Sequence, residues 1–378
     1  MMESNSESVI RHHAVLEYVQ WRGDLPFSVS PVNEIDAMIF SQLCYLHFRD
    51  AFGDGEMPLG EAAPLIDRLP MEPGNAQVVA ERHRLLRAVS KTARFGGLLV
   101  SHCADRFEPE LNMQFAAAAF ILPDESTLIA FRGTDATVVG WREDFTMSFS
   151  CPVPSQAEAL DYLHSIARET KGSLRLCGHS KGGNLALYAA VCCAPEIRDR
   201  ICFIDLFDAP GLDDATFSTG GYKETLPKVR SYVPQGSVIG QLMNVPQPFT
   251  VVHSRALGIA QHNVFTWQLD GPHFATLPTL DKPSRLTKAT MDEFLRTSTP
   301  ETRRVFIDTL FSALGAGNAL TLSDIAGHWT DTAGALLAAL RTLDPSTRKA
   351  VLSMFGTMAT SGVESARRLL GALKDASN

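Results

Sequence analysis

Leu174-Arg-Leu-Cys-Gly178-His179-Ser180-Lys181-Gly182-Gly183-Asn184, running on into Leu-Ala-Leu-Tyr-Ala-Ala190, is the stretch that decides how the chain folds. It opens as a short apolar run suited to a buried strand, crosses a serine flanked by glycines, and continues as a small-residue helical pattern. Strand, Gly-x-Ser-x-Gly turn and helix in that order predict a nucleophile elbow. The serine is then held in strained backbone at the strand end, with its hydroxyl clear of the sheet and the N-terminus of the next helix beneath it. Gly178 and Gly182 fit because a Cβ at either position would meet the neighbouring strand or helix. Gly-x-Ser-x-Gly alone arises by chance in many chains. The flanking periodicities and the further glycine at 183 separate this one from an ordinary strand-to-helix turn.

Outward from the elbow the pattern is that of an α/β protein. Leu98 to Phe107, Met113 to Leu122 and Thr127 to Phe131 read as extended segments, and Ala159, Leu160, Leu163 and Ile166 predict a helix from about Ser155 to Thr170. Downstream, Ile201 to Phe207 reads as a buried strand ending in Asp208-Ala-Pro-Gly211. Val229 to Val233 and Phe249 to His253 read as two more strands, with a last extended piece around Thr266 to Leu269. Strands alternating with helices after residue 125 predict a largely parallel sheet covered on both faces. Upstream, Ser30 and Pro31 predict the start of a helix reaching about His47. A second helix is expected from Val78 to Arg94, with loop and one short helix over 51 to 80. Past about Pro283, Thr299-Pro300 opens a helix with a stripe of Phe306, Leu310 and Leu314, and Asp344-Pro345 opens one through Leu352, Phe355 and Leu370. The expected organisation is an N-terminal helical segment over 1–95 packed on the core, an α/β core over 96–283, and a C-terminal helical extension over 284–378.

Composition narrows the function classes. The 378 residues are 45% hydrophobic with a net charge of -8, which suits one large domain or two smaller ones. No clustered Lys/Arg stripe of the kind that binds a phosphate backbone is present, so nucleic acid is not an expected partner. No apolar run approaches the roughly 18 residues of a membrane helix, and Met-Met-Glu-Ser-Asn-Ser-Glu-Ser lacks the apolar core of a secretory signal, so a cytoplasmic location is expected. Seven cysteines with no metal-ligand spacing read as reduced, buried thiols rather than disulfides or structural zinc. Cys177, close to the serine, reads as core. No cofactor and no metal are called for.

A hydrolytic serine needs a base, an acid to hold that base in the right tautomer, and backbone donors for the oxyanion. In an α/β-hydrolase their chain order is serine, acid, histidine. Ser180 is the nucleophile candidate. Of His253, His262 and His273, the first falls in an apolar strand and the last among prolines, whereas His262 sits in a polar loop, where a mobile base belongs. Asp208 directly follows a buried strand, so its carboxylate emerges at the same sheet edge as Ser180; Asp213 and Asp214 compete with it. In a bland reading, Asp208 only orders the Pro210-Gly211 turn. The amide of Lys181 is one oxyanion donor, and Thr134, in the loop after Phe131, offers the second. Arg132 and Asp144 are expected to form a buried pair that fixes this loop.

Phe131-Arg-Gly-Thr-Asp135, Gly140-Trp-Arg-Glu-Asp-Phe145 and Gly178-His-Ser-Lys-Gly-Gly-Asn184 together resemble the Mbeg-like family, bacterial proteins related to the class-three lipases. The likeness continues in Tyr18 to Asp24, Val233-Pro-Gln-Gly-Ser-Val-Ile-Gly240 and Gln261-His262-Asn263, over roughly residues 15 to 275. It implies an α/β-hydrolase fold, Ser180 as nucleophile, His262 as base and Thr134 at the oxyanion position. The chain departs from the lipases in one place. Where they carry an aspartate in an Asp-x-Val-Pro segment, this chain has Gln235-Gly236-Ser237-Val238. Either the acid stands one strand earlier, at Asp208, or the histidine is oriented without one.

The expected activity is hydrolysis of a small-molecule acyl ester through a Ser180-His262-Asp208 triad. Asp135 to Val139 is too short for a large interfacial lid, which points to soluble short or medium acyl chains. The alternatives are a hydrolase-fold binding protein with little or no turnover, and an amidase or peptidase using the same triad.

Overall fold

A nine-stranded mixed sheet carries the elbow. The computed structural model describes residues 14–308 apart from 136, 137, 148, 298, 302, 305 and 306. The helical stripes expected at Phe306, Leu310 and Leu314, and beyond Asp344, lie outside the described residues. In chain order the strands are β1 (Met57–Pro58), β2 (Leu99–Glu108), β3 (Met113–Ile121), β4 (Thr127–Phe131), β5 (Leu174–His179), β6 (Ile201–Phe207), β7 (Val229–Pro234), β8 (Thr250–Val252), β9 (Leu269–Asp270), β10 (His273–Phe274) and β11 (Thr276–Leu277). The large sheet runs β1-β2-β3-β4-β5-β6-β7-β8-β11, and β9 and β10 form a separate ribbon. From β4 to β8 every neighbour is parallel. Before β4 the strands join as antiparallel neighbours, and β11 closes the far edge antiparallel to β8. This is the α/β-hydrolase arrangement: a parallel centre, with the serine turn at the end of a central strand.

Side-chain alternation explains why both faces are covered. On β3, Ala118 and Phe120 point to one core, while Phe115, Ala117 and Ala119 point to the other; β4 splits likewise into Leu128 and Ala130 against Ile129 and Phe131. Residues alternate between faces at period two, so a strand apolar throughout needs partners on both sides. The first face is covered by the N-terminal helices α1 (Val15–Arg22), α2 (Glu34–Leu43), α3 (Phe48–Phe52), α4 (Leu59–Ile66) and α5 (Ala76–Val89). The second is covered by α7 (Pro154–Glu169) and α8 (Lys181–Cys192), while α6 (Val138–Thr146) lies against β3. Every residue of α8 from Lys181 to Val191 is buried; each large aliphatic side chain there contributes about 1.5–3 kcal/mol.

Some local expectations shift. The second helix is capped by Asn33, whose side chain accepts from the amides of Ile35 and Asp36, and not by Ser30. Asp36 closes a capping box on Asn33 and also receives Arg94 and Tyr18 in a fully buried cluster. Over residues 51 to 80 the short helix expected within the loop is α4, and β1 adds a two-residue strand that pairs with β2. Among the described residues no helix is long and apolar enough to cross a membrane.

Candidate active site

Ser180 sits at φ 59°, ψ −133°, a conformation that costs a non-glycine residue energy and is held by its surroundings. Its amide donates to Phe207 O at 3.0 Å, tying the turn to the next strand. The flanking glycines are required by contact. A Cβ on Gly178 would lie 2.2 Å from the backbone of Gly182, and one on Gly182 would lie 2.1 Å from Phe131 O.

Asp208 leaves β6 at φ 45°, with its amide on Tyr232 O at 2.8 Å. Its side chain is 1% exposed and saturated with donors. Oδ1 accepts from Ser237 Oγ at 2.5 Å and Gly240 N at 3.1 Å, and Oδ2 faces His262 Nδ1 at 2.7 Å. The His262 ring keeps one side open to solvent, at 25% exposure. Ser237 and Gly240 belong to the loop after β7, the segment that lacks the lipase-type aspartate; here that loop binds a carboxylate reaching over from the neighbouring strand. The competing groups are engaged elsewhere. Asp213 caps a short helix through Thr216 N at 2.8 Å, Asp214 accepts from Asn244 at 2.8 Å, and His273 pairs with Glu34 at 2.7 Å. His253 follows β8 directly, with its amide on Ala275 O.

The loop after β4 borders the serine: a Cβ on Gly133 would lie 3.1 Å from Ser180 Cβ. Among the described residues, the amides of Thr134 and Lys181 have no hydrogen-bond acceptor. The Thr134 hydroxyl is committed, donating to Asp144 Oδ2 at 2.5 Å. The Lys181 side chain turns inward, 1% exposed, with Nζ on Gln114 O at 2.8 Å and Glu143 Oε2 at 2.9 Å. Glu143 also receives the amides of Gln114 and Ser155, so it joins β3, α6, α7 and α8. Asp144 has its carboxyl pushed up to about 6 by burial, against the pull of Lys181 and the Thr134 hydrogen bond; its buried Oδ1 lacks a hydrogen-bond partner and stands 4.0 Å from Lys181 Nζ. The expected Arg132–Asp144 pair does not form. Arg132 instead grips Asp105 on β2 through two bonds of 2.8 and 3.0 Å.

Ser180 Oγ makes no hydrogen bond to His262 in this structure; the described hydrogen bonds around it belong to His179, Lys181 and His262. Sequence reasoning passed over three residues that the fold brings to the site: Ser237, His179 and Tyr45. His179 Nε2 meets His262 O at 2.8 Å, and its Nδ1 meets Tyr45 Oη at 3.2 Å. The apolar run Leu43-Cys44-Tyr45-Leu46 gave no polar signal for Tyr45, and His179 was absorbed into the elbow motif. All seven cysteines are free, as expected; Cys44, Cys103, Cys177 and Cys193 are buried, while Cys151, Cys192 and Cys202 are exposed. Burial holds the Cys177 thiol well above the usual range, which leaves it unreactive.

No curated protein matches the sequence. A crystal structure of M37 lipase is similar at 15% identity and a TM-score of 0.36, covering 57% of this chain and 71% of that one. The Mbeg1-like family profile matches residues 89–312, more than half of the chain and inclusive of the elbow, Asp208 and His262, while Tyr18 to Asp24 falls outside it. With the elbow at Ser180 and the family's motifs around it in place, the chain belongs to the Mbeg1-like family.

Proposed function

We propose that the protein is a serine hydrolase of carboxylic esters that works through an acyl-enzyme. The observation that carries this reading is the 2.7 Å contact between Asp208 and His262, at the sheet edge where Ser180 stands in its strained turn. In this reading Ser180 Oγ attacks the acyl carbon and His262 Nε2 takes its proton. Asp208 on Nδ1 keeps the ring in the tautomer that leaves Nε2 free to accept. The oxyanion forms against the amides of Lys181 and Thr134, both without a competing acceptor. His262 then returns the proton to the leaving alcohol, and water repeats the cycle on the acyl-enzyme. The Thr134 hydroxyl, bonded to Asp144, serves to set the loop. The short connection between β4 and α6 favours soluble short or medium acyl chains.

The test is labelling by a fluorophosphonate probe. The native chain is expected to label and the Ser180→Ala variant to stay blank, with turnover of p-nitrophenyl esters falling off toward long acyl chains. Preference for emulsified long-chain triglyceride would contradict the substrate class. A second reading, a hydrolase-fold binding protein, is favoured by the missing Ser180–His262 hydrogen bond. Hydrogen bonds that tighten only with substrate present account for that gap in the enzymatic reading. A native chain that never labels would decide for the binding protein.

A further inference from the structure

His179 is 5% exposed and engaged at both ring nitrogens. A carbonyl oxygen only accepts, so Nε2, 2.8 Å from His262 O, carries the proton. In the neutral ring Nδ1 then accepts from the Tyr45 hydroxyl 3.2 Å away. The ring lies over that of His262 with centroids 4.4 Å apart. The titratable groups facing it are Tyr45 from just past α2, Arg82 from α5, and His262. Burial first, and then His262 and Arg82, hold the His179 pKa well below the usual range. Arg82 stands 3.5 Å over the Tyr45 ring and bonds Gln42 at 3.2 Å. One residue beyond the base, Asn263 donates to Glu81 Oε2 at 3.1 Å. The helices α2 and α5 therefore hold the segment on which His262 is carried.

We propose that His179 is a positioning residue: fixed by Tyr45 as its Nε2–H tautomer, it holds the carbonyl of His262 and so sets where the base's ring stands relative to Asp208 and Ser180. The claim rests on the reading of His262 as the base. A neutral neighbour also matters electrostatically, because a second cation 4.4 Å away would oppose the imidazolium that forms as the serine proton is taken. The N-terminal helices, which precede most of the family match, thereby become part of the catalytic scaffold.

The experiment uses the full chain with three variants, His179→Phe, His179→Gln and Tyr45→Phe. It reads kcat and KM on p-nitrophenyl butyrate, and the ring resonance of His262 by NMR on histidine-labelled protein. A misplaced group costs up to roughly 100-fold in rate. His179→Phe is therefore expected to lower kcat about 30- to 100-fold with KM within about twofold. It should also move the His262 resonance. His179→Gln, whose amide nitrogen reaches the Nε2 position, should recover most of both, and Tyr45→Phe should fall between. Native kcat with an unmoved His262 resonance in His179→Phe would overturn the proposal, as would a Gln variant no better than the Phe one. Should the native chain show no turnover at all, the hydrolase reading fails and the NMR arm alone decides the role of His179. Should His179→Phe not fold, the Gln and Tyr45 variants carry the same comparison.

Discussion

Replace Asp208 with asparagine, and the surrounding donors dictate which way the new amide turns. Oδ1 of the native carboxylate receives Ser237 Oγ and the amide of Gly240, and a backbone N–H can do nothing but donate. The amide oxygen of Asp208→Asn must stay on that side, so its NH2 group faces His262 Nδ1. That nitrogen then has to accept, and the ring proton moves to Nε2, the atom that in the proposed mechanism takes the proton of Ser180. The variant is nearly isosteric, keeps the buried contacts of a side chain 1% exposed, and selects the wrong tautomer. A loss of about 10³–10⁴ in kcat is expected by analogy with serine-protease triads, or roughly 4–5.5 kcal/mol of transition-state stabilisation at about 1.4 kcal/mol per decade. The assay is turnover of p-nitrophenyl butyrate beside thermal unfolding of the same samples. A variant that melts like the native chain and keeps more than about a tenth of its kcat would show that Asp208 does not orient the base.

Other outcomes follow from buried charge. Arg94→Met strands the Asp36 carboxylate, which is wholly buried with Tyr18 and the Asn33 amide for company. Urea unfolding should register a loss of about 3–5 kcal/mol, and a change under 1 kcal/mol would refute the pairing argument. Asp144 holds its proton up to about 6, above the ordinary 3.8, so the native state binds that proton more tightly than the unfolded chain. Its contribution to stability therefore declines as pH rises from about 4 to about 6, and the cost is fully present above that. With the side chain 21% exposed, the cost is on the order of 2 kcal/mol. Asp144→Asn should flatten this part of the stability–pH curve and be the more stable protein at pH 8; a curve parallel to the native one would contradict the assignment.

The elbow was legible because it is local: Leu174 to Ala190 states its strand, turn and helix through period and glycine alone. The sheet centre was legible for the same reason, since β4, β5 and β6 are short apolar runs between turn residues. What the sequence hid is contact between distant residues. Arg132 has Asp144 nearby in the chain, yet β2 pairs with β3 and brings Asp105 to it. Asn33 outranks Ser30 as a cap because Asp36, three residues on, closes a capping box that also receives Arg94 from 58 positions away. His179 and Tyr45 are 134 residues apart, and only the packing of α2 across β5 makes them partners. Asp208 and His262 could be named from their places after strands, but the cradle of Ser237 and Gly240 could not, because nothing in Gln235 to Gly240 advertises an anion site.

The helix behind Ser180 has no side facing water, since eleven consecutive residues from Lys181 to Val191 are enclosed. Such a segment tolerates only exchanges of matched volume, because added or missing atoms have no solvent into which to relax. If the proposed ester hydrolysis holds, diversification of this scaffold toward new substrates therefore runs through the connections that follow β7 and β8, where Gln247, Pro248, Arg255 and Leu257 are exposed. A combinatorial library confined to those turns should yield altered selectivity in soluble clones, whereas one spread over 181–191 should yield mainly aggregates.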